Sequence, residues 1–165
     1  MIYSTGVTNK SNNPFYTVGK SIPVVESEFT ITAASTANGD QYILAGGLPL
    51  ESRVKALMAK NATPALTGAT DNDVGFFHMV DGVLIEIDAD ALIDGYSLAT
   101  AKSTRDLLYD ATPALDRTKN IRDVLGLDDD VNYTGGVFLV LTMKNKPTAN
   151  GVLRIDVELE QSTTN

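Results

Sequence analysis

Short runs of alternating apolar residues, interrupted at close intervals by turn-forming residues, dominate the stretch from Gln41 to Gly95. The interruptions are Gly-Gly-Leu-Pro at 46–49, Thr-Gly-Ala-Thr-Asp-Asn-Asp at 67–73, Asp-Gly at 81–82 and Asp-Gly at 94–95. An apolar period of two is typical of a strand with one buried face, and these turn residues supply the backbone angles that chain reversals need. The pattern predicts an antiparallel β-sandwich.

The same pattern places individual elements. Strands are expected from residue 28, with Phe29 and Ile31 inward, and at 52–58, with Val54, Ala56 and Met58 inward. Two more strands, at 74–79 and 83–87, flank Asp-Gly at 81–82, which is a strong hairpin signal.

Short helices are expected at 88–93, which begins with acidic residues, and at 120–125, where Asn120 can cap and Gly126 can terminate the helix. Residues 97–119 show no clean period and predict a long, partly irregular excursion.

Two apolar runs near the C-terminus are expected to pair as a hairpin. Residues 153–160 alternate cleanly between apolar and charged side chains, so this strand should have one buried and one solvated face. Residues 137–143 are apolar at successive positions, and both faces of that strand need cover. Packing within the chain and contact with another subunit are both open. The second alternative makes Phe138 and Val140 candidate interface residues.

Residues 1–24 differ from the rest because Ser, Thr, Asn and Gly dominate and large apolar anchors are few. Ordering each residue costs roughly 1 to 2 kcal/mol, more than such a segment recovers by its own burial. We expect an extended N-terminal arm at 1–24 and a sandwich domain at 25–165. Docking of the arm would use Tyr3, Phe15 and Tyr16, and an ordinary terminal loop is the alternative.

The composition excludes several kinds of site. With no Cys and one His, the chain cannot form a Cys-type zinc site, a thiol nucleophile or a redox pair. The net charge is −8 and the basic residues form no run, which disfavours nucleic acid and anionic membranes as partners. Apolar runs fall far short of the roughly 18 residues that span a bilayer, and residues 1–5 lack a signal-peptide pattern. We expect a soluble protein made in the cytoplasm.

Candidate catalytic groups lack the surroundings that chemistry requires. His78 lies among aromatic residues on a predicted strand, a setting more typical of packing than of a general base, and no Gly-x-Ser-x-Gly elbow accompanies it. The acidic groups at 71–73, 88–90 and 128–130 do not follow the ligand order of an EF-hand, and turn-forming acids explain them. We expect no catalytic residue, no cofactor and no metal site.

A family resemblance rests on the succession of four motifs. They are Phe-Thr-Ile-Thr at 29–32, Leu-Pro-Leu-Glu-Ser-Arg-Val at 48–54, Asp-Val-Gly-Phe at 73–76 and Leu-Ile-Asp-Gly at 92–95. This succession resembles the compact β-sandwich structural proteins of tailed bacteriophages, in which a Leu-Pro-x-Gly-x-Arg-Val corner precedes a strand. Glu51 and Ser52 stand where that group often has Gly. The resemblance covers residues 29–101 and, as a generic hairpin, 136–160.

The resemblance implies a jelly-roll-like, all-β virion protein with one or two short helices. We expect a capsid decoration or cement protein that binds the major capsid protein or another virion protein on the capsid exterior, after assembly in the host cytoplasm. A homo-oligomer is expected, with a trimer favoured by the resemblance. The alternatives are a tail, fibre or head-to-tail connector component and a carbohydrate-binding module, although the chain has no Trp to stack on sugars.

Overall fold

The computed structural model describes residues 24–61, 66–99, 105–111 and 118–161. Eight strands lie in these residues: β1 (Val24–Ile31), β2 (Asp40–Leu48), β3 (Ser52–Asn61), β4 (Asn72–Val80), β5 (Val83–Tyr96), β6 (Arg105–Asp106), β7 (Val137–Met143) and β8 (Gly151–Gln161). Two short helices accompany them: α1 (Leu107–Ala111) and α2 (Ile121–Val124). None of the described helices is long and apolar enough to cross a membrane.

The strands form two four-stranded sheets packed face to face. Sheet I has the order β1-β8-β3-β6, and sheet II has the order β2-β7-β4-β5. Antiparallel pairing joins β1 to β8, β2 to β7, β3 to β6 and β4 to β5. The chain thus follows one long hairpin rolled into two sheets, which is the jelly-roll arrangement. The expected all-β fold, a jelly-roll-like antiparallel sandwich with one or two short helices, is confirmed.

One large core fills the space between the sheets. β8 contributes alternate residues from Leu153 to Leu159, each at most 1% exposed, and β7 contributes Leu139 and Leu141. Phe29 and Ile31 of β1 are buried as expected. The hydroxyl of Ser27 also faces inward and donates to the carbonyl oxygen of Leu44 at 2.8 Å, so this buried polar group has a partner across the two sheets.

The hairpin between β4 and β5 has the predicted two-residue turn. Val80 pairs with Val83, and the two residues between them have positive φ, 51° at Asp81 and 79° at Gly82. This combination suits the right-handed twist of the flanking strands. The Asp-Gly signal therefore predicted the position of this hairpin correctly.

Of the two predicted helices, one is confirmed and one is wrong. The side chain of Asn120 caps α2 by accepting from the backbone N–H of Asp123 at 2.8 Å, and Gly126 follows the helix with φ of 61°. Residues 88–93 belong instead to β5, which continues past register shifts opposite β4. Helix α1 was not predicted. It begins after Asp106, whose carboxylate accepts from the N–H of Leu108.

The expected C-terminal hairpin is wrong. β7 pairs with β2 and β4 in sheet II, whereas β8 pairs with β1 and β3 in sheet I. The segment between them crosses from one sheet to the other. Consecutive strands of a jelly roll need not pair with each other. Each pairs with the strand opposite it in the long hairpin, as β7 does with β2 and β8 with β1.

The expected inward position of Met58 is also wrong. A register shift between Val54 and Ala56 interrupts the pairing of β3 with β8. Such a bulge reverses the alternation of faces. Leu57 and Ala59 are consequently buried, and Met58 is half-buried.

Ion pairs cover the outer face of sheet I. Arg53 pairs with Glu160, Lys60 with Asp156 and Arg154 with Glu28, each across neighbouring strands. Hydrogen bonding to Asp156 raises the pKa of Lys60. This face has the charged, solvated character that the alternation in residues 153–160 predicts.

The predicted arm lies almost wholly outside the described residues, and its candidate docking residues Tyr3, Phe15 and Tyr16 do so as well. β1 begins at Val24, the last residue assigned to the arm. The division into an arm at 1–24 and a domain at 25–165 stays a prediction.

Candidate functional site

The outer face of sheet II carries a second apolar cluster, separate from the core. We call it the outer cluster: the buried residues Phe77, Leu84 and Val140, with Ile43, Met79, Ala89 and Phe138 partly buried against them. It spans all four strands of the sheet. A sheet face turned away from the core is commonly polar. An apolar outer face therefore indicates that another part of the chain or another molecule covers it.

The structure brings the two predicted interface residues of β7 together in the outer cluster. Val140 is fully buried, so its cover comes from within the chain and it offers no accessible area to a partner. Phe138 is half-buried and lies opposite Phe77 in the strand register. Of the two, Phe138 is the residue that a partner could reach.

Gly46 makes room for the ring of Phe138. A Cβ at Gly46 would lie 2.6 Å from Cε1 of Phe138, well inside contact distance. Gly46 therefore allows an aromatic ring to pack over β2. β2 is kinked at the next residue. Gly47 has φ of 70°, and the register of β2 with β7 shifts between Ala45 and Leu48.

Exposed apolar residues are concentrated at the tip of the β4–β5 hairpin. Val80, Val83 and Ile85 are 46%, 44% and 42% exposed, and only Val24 and Tyr109 join them among large hydrophobic residues of the described part of the chain. These tip residues were not among the predicted interface residues. The signal was present, because Val83, Ile85 and Ile87 alternate directly after the Asp-Gly turn.

A charged group closes the opposite end of the same sheet. Asp73 on β4 is 3% exposed, and its carboxylate lies 2.7 Å from Nζ of Lys144 and accepts from the N–H of Gly95 at 3.0 Å. Asp94 and Asp71 lie farther from the same Nζ, at 3.5 and 4.0 Å. The hydrogen bond to Asp73 raises the pKa of Lys144. This group anchors the end of β5 to β4 and β7.

Asp88 and Asp90 lie close together on β5. The hydrogen bond to Asp88 raises the pKa of Asp90, and burial and the Asp88 charge act in the same direction. A neighbouring negative charge disfavours the ionised form of a carboxyl group, which is the direction seen for the pKa of Asp90. Within the described residues, no group of three or more His, Cys, Asp or Glu side chains is arranged to hold a metal ion.

His78 packs against an aromatic ring. The centroids of the His78 and Tyr133 rings are 4.9 Å apart, with 43° between their planes. His78 is half-buried and pairs with Ile85 across the hairpin.

Comparison of the chain with protein-family models, with curated proteins and with solved structures gives no significant match.

Proposed function

We propose that the protein is a structural component of a tailed-phage virion, a capsid decoration or cement protein that stabilises the head by binding capsid subunits. The single observation that supports this is the pairing of a jelly roll with one charged and one apolar outer face. The jelly roll is common among viral capsid proteins, although lectins and cupins share it. A broad apolar face suits binding to another protein surface.

The protein would act by binding across capsid subunits and holding them together. A protein that binds only the assembled shell stabilises it by mass action, and many copies on one particle add their effects. The half-buried rings and side chains of the outer cluster, Phe138, Ile43 and Met79, would supply the apolar contacts. Ion pairs on the outer face of sheet I would keep the opposite side in water.

The net charge fits an exterior location. At −8, the chain is repelled by the DNA inside a head, because binding to phosphates depends on an excess of Lys and Arg. The proposal therefore has the major capsid protein or another virion protein as partner, on the capsid exterior. A homo-oligomer on the particle is part of the same proposal, and a trimer is its expected size from the family resemblance.

Electron microscopy of the phage that encodes this chain would test the proposal. Gold-labelled antibodies raised against the purified protein should bind to the outside of the head. Binding to the tail or fibres would support the tail alternative instead. Particles without label, from preparations in which the same antibodies detect the protein in the infected cell, would overturn a virion role. Phage lacking the gene should yield heads that break at lower temperature.

The binding surface can be tested on the same particles. The substitution Phe138→Ser shortens an accessible ring of the outer cluster, and we expect it to weaken binding of the purified protein to heads that lack it. Lys55→Ser is a matched control, because Lys55 is exposed on β3 of sheet I. Equal binding by both variants would show that the outer cluster is not the contact.

A further inference from the structure

The free edge of β5 differs from the other edges of the two sheets. β5 is the last strand of sheet II, and β4 is the strand with which it pairs among the described residues. At the start of β5, Val83, Ile85 and Glu86 are exposed, and Val80 continues the apolar surface across the turn. This edge presents both apolar side chains and main-chain groups.

The remaining edges carry features that discourage pairing with another chain. β6 has two residues, β2 is interrupted by register shifts, and β1 exposes Glu26 and Glu28. Short length, bulges and charges are common means of protecting an edge. Residues 80–86 contain no Lys, Arg or Pro, and their register with β4 is unbroken from Phe77 to Val80. Glu86 is the one exposed acid among residues 83–86, and the first register shift lies beyond it, so the start of β5 is the least protected of these edges.

The hairpin geometry determines which main-chain groups face outward. Val80 and Val83 close a two-residue turn and form a hydrogen-bonded pair, so bonded and non-bonded pairs alternate from there. Leu84 and Glu86 fall at non-bonded positions opposite Met79 and Phe77. Their N–H and C=O groups therefore point away from β4, toward the free edge.

We propose that this edge pairs with β5 of a second copy of the chain, antiparallel, about a two-fold axis at Ile85. Ile85 then faces Ile85 of the second copy as a non-bonded pair. Leu84 of each copy exchanges hydrogen bonds with Glu86 of the other, about four bonds in total. Sheet II becomes a continuous eight-stranded sheet, and the exposed start of β5 is covered in both copies.

This register is complementary in side chains as well as in backbone. Val83 lies beside the Ile85 pair on the same face, next to Ile87 of the second copy, so the contacts nearest the axis on that face are apolar. Each Glu86 lies opposite a Leu84, so no acid meets an acid before the register shift that follows Glu86. A two-fold axis at Glu86 would instead place two carboxylates opposite each other. A two-fold axis at Leu84 would place Asp81 of one copy opposite Ile87 of the other.

A single cysteine tests the register, because the native chain has none. In the variant Ile85→Cys the two thiols would face each other at the axis, and mild oxidation should convert most of the protein to a covalent dimer. Val83→Cys is the matched control, equally exposed and on the same face. The register separates its two thiols by about four residues, or roughly 13 Å along the strand. Equal cross-linking of both variants would overturn the proposal.

A proline tests the backbone contact. Glu86→Pro removes an outward N–H that β4 does not use, a substitution that an edge strand tolerates. Glu86→Ala keeps the N–H and is its control. By sedimentation, the wild type and Glu86→Ala should have an even number of copies, which is a hexamer of two trimers if the trimer of the proposed function also forms. Glu86→Pro should fall to half that number while retaining its circular dichroism. A wild type that is monomeric at tens of micromolar, or strictly trimeric, would overturn the pairing, since a closed trimer contains no two-fold contact.

Discussion

The two sheets share one core and one topology, yet their outer faces have opposite chemistry. On sheet I, neighbouring strands place Arg154 beside Glu28 and Lys60 beside Asp156. On sheet II, Phe77 and Val140 occupy the corresponding outward positions and are at most 1% exposed. Because the main core lies between the inner faces, the outer face of each sheet can be charged or apolar. The accessible part of the apolar outer face of sheet II is therefore limited to partly buried residues such as Phe138, Ile43 and Met79.

The largest expected effect comes from truncating the outer cluster. Phe77→Ala should lower the free energy of unfolding by about 3 to 5 kcal/mol, as is usual for a buried Phe, although Phe77 lies outside the main core. Glu158→Ala is the control, because Glu158 faces outward on β8 of sheet I. We expect it to change stability by no more than about 0.5 kcal/mol. Urea denaturation of both variants measures the contrast, and equal small losses would mean that the outer cluster contributes little to folding.

A smaller effect is expected at the charged end of sheet II. Asp73→Ala removes the partner of Lys144 and of the Gly95 N–H, and it should cost about 1 to 3 kcal/mol. Asp73→Asn keeps an acceptor for Gly95 and should lose less. Asp71→Ala serves as control, since the Asp71 side chain is 43% exposed and its carboxylate lies 4.0 Å from the same Nζ. Thermal and urea unfolding would rank the three variants by their loss of stability. A loss from Asp71→Ala as large as that from Asp73→Ala would contradict the prediction.

The parts of the fold that were predicted correctly depend on neighbouring residues. The Asp81-Gly82 turn and the Asn120 cap each act within a few residues, so their signals are complete in the local sequence. The strand at 153–160 was likewise predicted because strict alternation requires one buried face. In contrast, residues 88–93 form a strand because β4 lies beside them, and no local signal carries that information.

Long-range pairing explains the other failures as well. β7 and β8 are adjacent in sequence but belong to different sheets, and the pairing of each is decided by strands near the N-terminal half of the chain. The bulge that turns Met58 away from the core arises only in the register with β8. For the candidate site, the doubly apolar run at 137–143 correctly marked β7 as needing cover on two faces. It could not show that Phe77 and Leu84 supply part of that cover for Val140.

The ion pairs of sheet I should contribute little individually. A double-mutant cycle with Glu28→Ala and Arg154→Ala should give a coupling of about 0.2 to 1 kcal/mol, because both side chains are roughly half exposed. High salt should reduce the coupling further, since it screens exposed charges. Unfolding at low and high ionic strength measures both effects. A coupling that exceeds the loss from Asp73→Ala would reverse the expected difference between the two sheets.

The smallest expected effect is a pH dependence at Asp90. Its pKa is raised above the ordinary value of 3.8, chiefly by the hydrogen bond to Asp88, so the folded protein holds this proton more tightly than the unfolded chain. Stability should therefore fall as pH rises through 3.8 toward the higher folded value.

Asp90→Asn removes this penalty, and the variant should exceed the wild type above that window by no more than about 0.5 kcal/mol, because Asp90 is exposed. The gain should disappear below pH 3.8, where the wild-type carboxyl is protonated in both states. Asp94→Asn makes the same change of charge beside Lys144 and should give no gain. Melting curves of all three proteins across this range would measure the difference, and an equal gain from both variants would assign the effect to net charge instead of to the Asp88–Asp90 pair.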